Sequence, residues 1–407
     1  MTTPSTANHL LSPRMSSPEV RNLLVLASCQ ALLLTNNATI VALNGLAGYA
    51  LATDKSLATL PVTGWVTGAA VAALPASLLM KRIGRRAGFT IGTVLGILGA
   101  LVCAAALSWG SFALLCVGTF LFGTFNGFGQ FYRFAAADSV RAEFRPKAIS
   151  LVLAGGLVGG LIGPELSKNT VELAAVRYMG SYLSLIAFLL LSVVIVQLLR
   201  IPPPTDAEVH GPSRPLREIV AQPVFIVAAM CSAIGYGVMN LLMTATPLAM
   251  GVCGHPFSAT ASVIGWHVIG MFAPSLFTGS LIRRFGIASV ILAGVFLLYV
   301  CVLIALSGLS VSHFWWAMFI QGIGWNFMYV GGSALLTQVY RPAEKAKVQG
   351  AHDAVVFLTM VASSLSSGYM LDRNGWHTLN YLALPLITLA GCAVLWLFLT
   401  RRTAVAA

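Results

Sequence analysis

Charged side chains are scarce in this sequence. Asp, Glu, Lys and Arg together make up 9% of its 407 residues, whereas a soluble domain carries about 25%. Hydrophobic residues make up 57%, and the mean hydropathy is +0.86. So few charges cannot cover a water-exposed surface of this size. The composition therefore excludes an ordinary soluble domain and predicts an integral membrane protein.

Acidic residues are the scarcer of the two charged classes. The chain has 12 Asp and Glu against 24 Lys and Arg, for a net charge of +12. Such an excess can indicate nucleic-acid binding, but here the basic residues form short clusters between apolar stretches, where membrane topology accounts for them. We therefore expect contact with membrane lipid and no nucleic-acid partner.

Motifs of catalysis and metal binding are missing. The seven cysteines include no CxxC pair and no Cys/His spacing of a zinc site. There is no GxxxxGK[ST] loop, no HExxH motif and no nucleophile elbow. We expect no enzyme activity, no catalytic residue, no cofactor and no metal. Without a nucleotide-binding loop, any energy-requiring activity of this chain must draw on an ion gradient.

Long apolar stretches occupy nearly the whole chain. At about 20 residues per helical crossing, twelve of them fit, at 21–50, 57–80, 88–109, 111–138, 147–168, 177–199, 224–250, 258–282, 287–308, 312–338, 346–371 and 377–400. The sequence predicts an all-α membrane protein with 12 transmembrane helices in two pseudo-symmetric six-helix bundles. The bundles are residues 21–199 and 224–400, with a linker at 200–223 and tails at 1–20 and 401–407.

Lys and Arg are unevenly divided between the two sides of this topology. Nineteen lie on the side of both termini and the linker, Arg133 lies inside a span, and four lie on the other side: Lys55, Lys168, Arg177 and Arg373. The positive-inside rule places both termini in the cytoplasm. We expect a multi-pass plasma-membrane protein, in the bacterial inner membrane, that acts as a monomer.

A short basic loop occurs twice, 202 residues apart. The segments 81–86 (KRIGRR) and 283–286 (RRFG) each follow the second apolar stretch of one half. Phe125-Asn126 and Trp325-Asn326 repeat at a similar offset, as do Arg145-Pro146 and Arg341-Pro342. Matching features at one offset indicate two parallel repeats from an ancestral duplication, an architecture of membrane transporters.

These features resemble the major facilitator superfamily over about residues 20 to 400. That family's loop signature is roughly Gly-x-x-x-Asp-Arg-x-Gly-Arg-Arg. Ser77 takes the Gly position of the first copy, and Lys81 and Arg283 take the Asp positions; the matching residues are Arg82, Gly84, Arg85, Arg86, Gly279, Arg284 and Gly286. The resemblance implies a secondary carrier that rocks two bundles around a central site.

Two roles are open for the basic loop. The first is to anchor the topology at the membrane surface. The second, which the resemblance also implies, is a gate latch in which Arg82 or Arg86 pairs with Asp138 at the end of the fourth span. The missing acidic residue weakens the second role, because Lys81 cannot accept hydrogen bonds from a facing helix N-terminus.

Polar residues recur at helical spacing in spans 1, 4, 7 and 10, which line the central cavity in the family that the chain resembles. A polar side chain that faces lipid is costly, so these stripes indicate the pathway; hydrogen bonds between helices are the alternative, above all for the lone His267. The residues that we predict to bind substrate are Gln30, Asn37, Asn126, Gln130, Tyr236, Asn240, His267, Trp325, Asn326 and Tyr329.

Two charged residues lie inside the spans at matching depths. Arg133 is five residues from Asp138, and Asp353 is six residues from Lys347, which puts both roughly 7 to 9 Å inside the cytoplasmic boundary. We predict that Arg133 and Asp353 form or line a gate between the halves, which a proton on Asp353 releases. Direct contact with substrate and a static ion pair are the alternatives.

Aromatic side chains lie near the polar stripes, as is typical of a site for a flat organic solute. Similarity to proteobacterial vitamin carriers of the riboflavin-uptake kind makes riboflavin the first candidate cargo, with protons as the coupling ion. Gly155, Gly159 and Gly163-Pro164 resemble part of the antiporter signature of proton-driven exporters. Proton-coupled efflux of drugs or metabolites is therefore the alternative, and a transport-inactive receptor on this fold is a third.

Overall fold

The computed structural model describes residues 15–54, 57–58, 60–202 and 205–406, and these residues form helices, turns and loops without a β-strand. The helices are α1 (Ser17–Leu51), α2 (Leu60–Ile83), α3 (Arg85–Ser108), α4 (Phe112–Gly129), α5 (Tyr132–Asp138), α6 (Arg145–Thr170), α7 (Met179–Val196), α8 (Asp206–His210), α9 (Leu216–Val220), α10 (Pro223–Val252), α11 (Phe257–Phe272), α12 (Ser275–Phe285), α13 (Ile287–Ser307), α14 (Val311–Leu336) and α15 (Lys345–Ala406). Part of the predicted N-terminal tail (1–14), Lys55 and linker residues 203–204 lie outside the described residues.

Nine of the described helical segments are long and apolar enough to cross a membrane, and α11 with α12 makes a tenth as a pair bent by 40°. One of the nine, Pro342–Thr400, is 59 residues long, and the non-helical Gly375 divides it. α14 has 26 residues but is not among the nine, because Gln321, Asn326 and several glycines lower its hydropathy. The protein is thus an all-helical integral membrane protein.

The eighth predicted span, 258–282, is not one continuous helix. The chain breaks between Phe272 and Ser275, where Pro274 cannot donate a backbone hydrogen bond. Asn326 of α14 holds this break: its amide nitrogen donates to the Met271 carbonyl at 2.7 Å and to the Ser275 hydroxyl, and its amide oxygen accepts from Thr278 at 2.7 Å.

The two basic loops have the same backbone conformation. Gly84 separates α2 from α3 with φ 83°, and Gly286 separates α12 from α13 with φ 86°. Glycine adopts this left-handed conformation without steric cost, so each loop is a one-residue turn. The repeat seen in the sequence is therefore also a repeat of backbone structure.

Two seams join the first part of the chain (α1–α7) to the second (α10–α15): α2 packs against α15, and α6 packs against α11 and α12. Hydrogen bonds across them from Ser77, Lys81, Arg85 and Gly279 lie toward one face of the molecule, which we call the basic face. It is the face where α2 ends at Ile83, α5 at Asp138, α12 at Phe285 and α14 at Leu336. Both basic loops lie on it.

The linker also contacts the basic face. α8 packs against α2 and the one-turn helix Pro342–Glu344. Arg214 donates two hydrogen bonds to the buried Glu344 carboxylate, at 2.7 and 2.6 Å, and these bonds raise the pKa of the Arg214 guanidinium. The linker is therefore fixed to the start of α15 rather than lying loose between the two parts.

Candidate functional site

A buried ion pair lies between the two parts of the chain. Arg133 of α5 and Asp353 of α15 are 1% and 2% exposed, and the Arg133 guanidinium donates to Asp353 Oδ1. The same guanidinium donates to Ser333 Oγ at 3.1 Å and to the Gln130 carbonyl at 2.6 Å. The two charged residues that the sequence placed at matching depth are thus in direct contact. Arg133 comes from the first part of the chain and Asp353 from the second.

Aromatic rings surround the Arg133 guanidinium. Its central carbon lies 4.3 Å from the centre of the Phe134 ring and 4.7 Å from that of Tyr329, within the range of cation–π attraction. Trp325 stacks on Tyr329 at 5.1 Å with 19° between the planes. Tyr236 of α10 meets both rings edge-on, at 5.2 and 5.1 Å. These contacts build an aromatic wall beside the ion pair.

A chain of side-chain amides leads from this wall to α1. The Tyr329 hydroxyl donates to Gln130 Oε1 at 3.2 Å, and Gln130 Nε2 donates to Asn126 Oδ1 at 3.1 Å. Asn37 Nδ2 donates to the same Asn126 oxygen at 2.8 Å. Six of the predicted substrate-binding residues therefore lie in one connected region: Asn37, Asn126, Gln130, Tyr236, Trp325 and Tyr329.

The Asp353 carboxylate is unevenly satisfied. His352 Nδ1 lies 2.8 Å from Oδ1, the oxygen that also accepts from Arg133. Within the described part of the chain, Asp353 Oδ2 and His352 Nε2 are buried without a hydrogen-bond partner. A buried polar atom without a partner is costly, so both atoms are candidate positions for a proton or a ligand.

Three of the predicted substrate-binding residues make hydrogen bonds between helices on one side of the interface. Asn240 Nδ2 donates to Ser363 Oγ at 2.9 Å, and His267 Nδ1 donates to the Met318 carbonyl at 2.7 Å. Asn326 holds the break between α11 and α12. These contacts agree with the alternative interpretation of the polar stripes, in which the side chains form hydrogen bonds between helices instead of binding substrate. Gln30 is buried in α1, 3% exposed.

The expected pairing of Asp138 with Arg82 or Arg86 is wrong. Asp138 pairs with Arg85 at 3.0 Å and with Lys345 at 3.4 Å, and Arg85 also donates to Gln349 Oε1 at 2.6 Å. Arg85 is the first residue after the Gly84 turn and points back across the basic face. Arg82 and Arg86 are exposed. Sequence reasoning missed Arg85, Lys345 and Gln349, although Arg85 belongs to the loop motif.

Lys81 also takes part in the seam. Its ammonium donates to the Ala343 carbonyl at 3.0 Å, and Ser77 donates to the Ala346 carbonyl at 2.7 Å. A lysine cannot accept from helix N–H groups, but it can donate to a carbonyl at the same crossing. Lys81 therefore joins the two parts by donating to a carbonyl, where the aspartate of the family's signature would accept from helix N–H groups.

No metal site accompanies this arrangement in the described ranges. None of their His, Cys, Asp and Glu side chains form a group of three or more that could hold a metal ion. The buried groups between the two parts are instead an ion pair, amides and aromatic rings. Such a set suits an organic ligand that stacks and forms hydrogen bonds.

Comparison with known proteins gives one family. The family model described as Major Facilitator Superfamily matches residues 26–303 and 241–407. The riboflavin transporter RfnT of Brucella anthropi is 38% identical over 374 residues, which cover 91% of this chain and 94% of that protein. The uncharacterized MFS-type transporter YddS of Bacillus subtilis is 29% identical over 364 residues, covering 85% of this chain and 83% of that protein.

Solved structures agree on the fold. The human organic anion transporter MFSD10 superposes with a TM-score of 0.76 at 14% identity, covering 93% of this chain and 100% of that one. The fucose:proton symporter FucP of E. coli superposes with a TM-score of 0.72 at 15% identity, covering 92% and 99%. At these identities the likeness shows the fold and leaves the ligand open.

Proposed function

This chain belongs to the Major Facilitator Superfamily, and from that premise we propose that it carries riboflavin or a closely related flavin across the membrane, coupled to protons. As a member of that family it is a secondary transporter and not an enzyme. The remaining questions are its architecture in the bilayer, the site that holds the cargo and the group that holds the proton.

The proposed architecture has twelve spans in two six-helix bundles. Besides the nine apolar segments, it counts the bent pair α11–α12, the 26-residue α14 and the division of α15 at Gly375. The bundles are residues 21–199 and 224–400. The linker 200–223 and both termini are assigned to the cytoplasm of an inner membrane, because the basic face carries most of the Lys and Arg.

The closed basic face supports an outward-facing state. Bonds from Ser77, Lys81 and Arg85 to α15 and to the residues just before it hold the bundles together at that face. In a carrier that works by alternating access, closing one side leaves the central site open to the other. The Arg133–Asp353 pair then lies between the cargo and the closed cytoplasmic gate.

The observation that carries the cargo assignment is the aromatic wall beside the amide chain. The isoalloxazine ring of riboflavin is flat and bears carbonyl and N–H groups along one edge. Trp325, Tyr329 and Tyr236 offer ring faces and edges, and Asn37 has a buried amide oxygen without a partner among the described residues. The 38% identity with a riboflavin transporter supports the same cargo.

Coupling to protons is assigned to Asp353. Its two donors both bind Oδ1, so a proton can bind Oδ2 without displacing either of them. Protonation removes the negative charge and with it much of the attraction to Arg133. A loosened ion pair between the bundles would let the cytoplasmic side open, which links proton binding to the conformational change.

Efflux remains the second direction to test. Its sequence support was the glycine pattern of the fifth span. A Cβ on Gly155 would lie 2.2 Å from the Ala27 carbonyl oxygen, and one on Gly159 would lie 2.3 Å from that of Ala31. Close packing of α6 on α1 accounts for these glycines. The pattern therefore does not favour efflux over uptake.

The cargo is tested with purified protein in liposomes, by binding of riboflavin and by its uptake under an imposed pH gradient. Replacing Trp325 with Leu removes the ring that stacks on Tyr329, and we expect the half-saturating riboflavin concentration to rise about tenfold or more. Trp316→Leu is the matched control, because Trp316 lies on the same helix and is 51% exposed. It should stay within about twofold, since an exposed ring contributes little to a buried site.

Absence of both riboflavin binding and riboflavin flux in the wild-type protein contradicts the cargo assignment. If riboflavin moves only in the export direction under the same gradient, the direction of transport is efflux instead of uptake. An equal effect of the two tryptophan substitutions contradicts the location of the site.

A further inference from the structure

In each seam between the bundles, a serine of the first bundle lies against a glycine of the second. Where α2 meets α15, Ser77 donates to the Ala346 carbonyl, and a Cβ on Gly350 would lie 3.2 Å from Ser77 Cβ. Where α6 meets α12, the Gly279 N–H donates to Ser150 Oγ at 3.0 Å, and a Cβ on Gly279 would lie 2.5 Å from the Lys147 Cα. Both seams are thus too tight for a larger side chain at the glycine.

At each pair of equivalent positions, the first half has a serine and the second half has a glycine. Ser77 and Gly279 are 202 residues apart, the offset of the basic loops, and Ser150 and Gly350 are 200 apart. The hydroxyl therefore comes from the second span in one seam and from the fifth span in the other. The duplication keeps the pairing of hydroxyl and glycine, and the first bundle supplies both serines while the second supplies both glycines.

Ser150 makes the fuller of the two contacts. Its hydroxyl donates to the Ser275 carbonyl and accepts from the Gly279 N–H. Ser275 and Gly279 are four residues apart in α12, so they are natural hydrogen-bond partners of each other in a helix. Asn326 holds Ser275 in place through its side-chain hydroxyl. Ser150 thus binds the backbone carbonyl and the backbone N–H that face each other across one turn near the start of α12.

Separation of this seam leaves no polar group without a partner. Ser275 and Gly279 can keep the ordinary bond within the helix, and a helical serine can donate to the carbonyl four residues before it. The contact forms in the closed state, and no polar group loses its hydrogen-bond partner when the face opens. It therefore favours the closed state without making opening costly.

We propose that Ser150 and Ser77 are gating residues that set the equilibrium between the closed and open cytoplasmic face, with Ser150 the stronger because it makes two bonds. This inference rests on the proposed alternating access. The two serines act through backbone groups of the opposite bundle, separately from the charged cluster of Arg85 and Asp138. They do not contact the residues of the central site.

The test measures the distance across the basic face by electron–electron double resonance in lipid nanodiscs. Spin labels are attached at Ile83→Cys and Phe285→Cys, two exposed residues that end α2 and α12. The accessible Cys116, Cys253 and Cys392 are replaced by Ser. Opening of the face lengthens the distance, so the ratio of long to short distances reports the equilibrium directly.

Ser150→Ala should raise that ratio at least about fivefold, and Ser77→Ala about two- to fivefold, as expected for the net loss of hydrogen bonds. Ser150→Thr keeps the hydroxyl and should restore the wild-type ratio. The matched control is Ser367→Ala: Ser367 is buried and donates to the Leu241 carbonyl at 2.8 Å, but both residues belong to the same bundle. It should leave the ratio unchanged.

If Ser150→Ala does not fold, Gly279→Ala replaces it, because the added methyl group wedges the same seam and should also favour the open face. The proposal is overturned if wild-type protein opens on addition of riboflavin or a change of pH while Ser150→Ala matches Ser367→Ala. A single distance in every variant and condition would contradict alternating access itself, and the gating role with it.

Discussion

Two donors share one oxygen of Asp353. Arg133 and His352 both bind Oδ1, and Oδ2 is buried without a partner in the part of the chain that the structure describes. A buried ion pair is stable only while both partners remain charged and well bonded, so loss of one charge has a large effect. That sensitivity makes this pair suitable as a switch, whereas the exposed ion pairs of the protein are too weakly coupled to serve as one.

Replacing Asp353 with Asn mimics a permanently protonated side chain. We expect proton-driven accumulation of riboflavin to fall to the equilibrium level, while exchange of labelled for unlabelled riboflavin continues within about threefold of wild type, because exchange needs no net proton movement. Arg133→Gln leaves the buried carboxylate unpaired, at a cost of about 3–5 kcal/mol, so accumulation and exchange should both be lost. Accumulation and exchange are measured in the same vesicles.

Arg177→Gln is the control for both substitutions, since its ion pair with Glu172 is exposed: 67% and 76% of the two side chains face solvent. It should transport normally. Normal transport by both Asp353→Asn and Arg133→Gln would remove this ion pair from the mechanism.

At the scale of helices, the contact between α1 and α6 depends on glycines. A Cβ on Gly159 would lie 2.3 Å from the Ala31 carbonyl oxygen and 2.6 Å from the Thr35 nitrogen, both of which are backbone atoms that cannot rotate away. Without a hydrophobic driving force between helices in lipid, such close packing supplies much of the association energy.

Gly159→Ala should therefore destabilise the protein by about 1–3 kcal/mol through overpacking. Gly265→Ala is the matched control, because a Cβ at Gly265 in α11 would have nothing within 4 Å. Alanine favours helix over glycine, so this control should be neutral or stabilising. Thermal unfolding in detergent measures both. Equal melting temperatures for the two variants would show that the α1–α6 contact tolerates a wider spacing than the structure has.

The helices, turns and contacts of the structure show which features can be predicted from the sequence. Hydropathy and the repeated basic loop indicated the spans and the duplication. The stripe of Asn126, Gln130 and Arg133 indicated a functional face, and Gln130 and Arg133 do contact the second part of the chain. The contacts of Asn326 were not predictable, because the Met271 carbonyl that it binds lies at the break between α11 and α12 near Pro274. A one-residue turn at Gly84 likewise decides which arginine meets Asp138.

At the scale of the whole molecule, the bonds across the basic face define one end of the proposed alternating-access cycle. The Asp138–Lys345 ion pair and a serine hydrogen bond in each seam close that face, and the linker adds a contact through Arg214 and Glu344. Such a set of individually modest bonds can shift an equilibrium between two rigid-body arrangements by the few kcal/mol that a coupled carrier requires. The central site and the face that closes it are then parts of one conformational change.

The most direct test of a proton-coupled flavin carrier is to follow pH inside liposomes that contain the purified protein when riboflavin is added outside, with no gradient imposed. We predict that riboflavin entry shifts the internal pH in the wild-type protein and that Asp353→Asn abolishes the shift. Acidification would indicate symport, and alkalinisation would indicate exchange. Riboflavin entry without any change of pH, equal in the wild type and Asp353→Asn, would contradict the account.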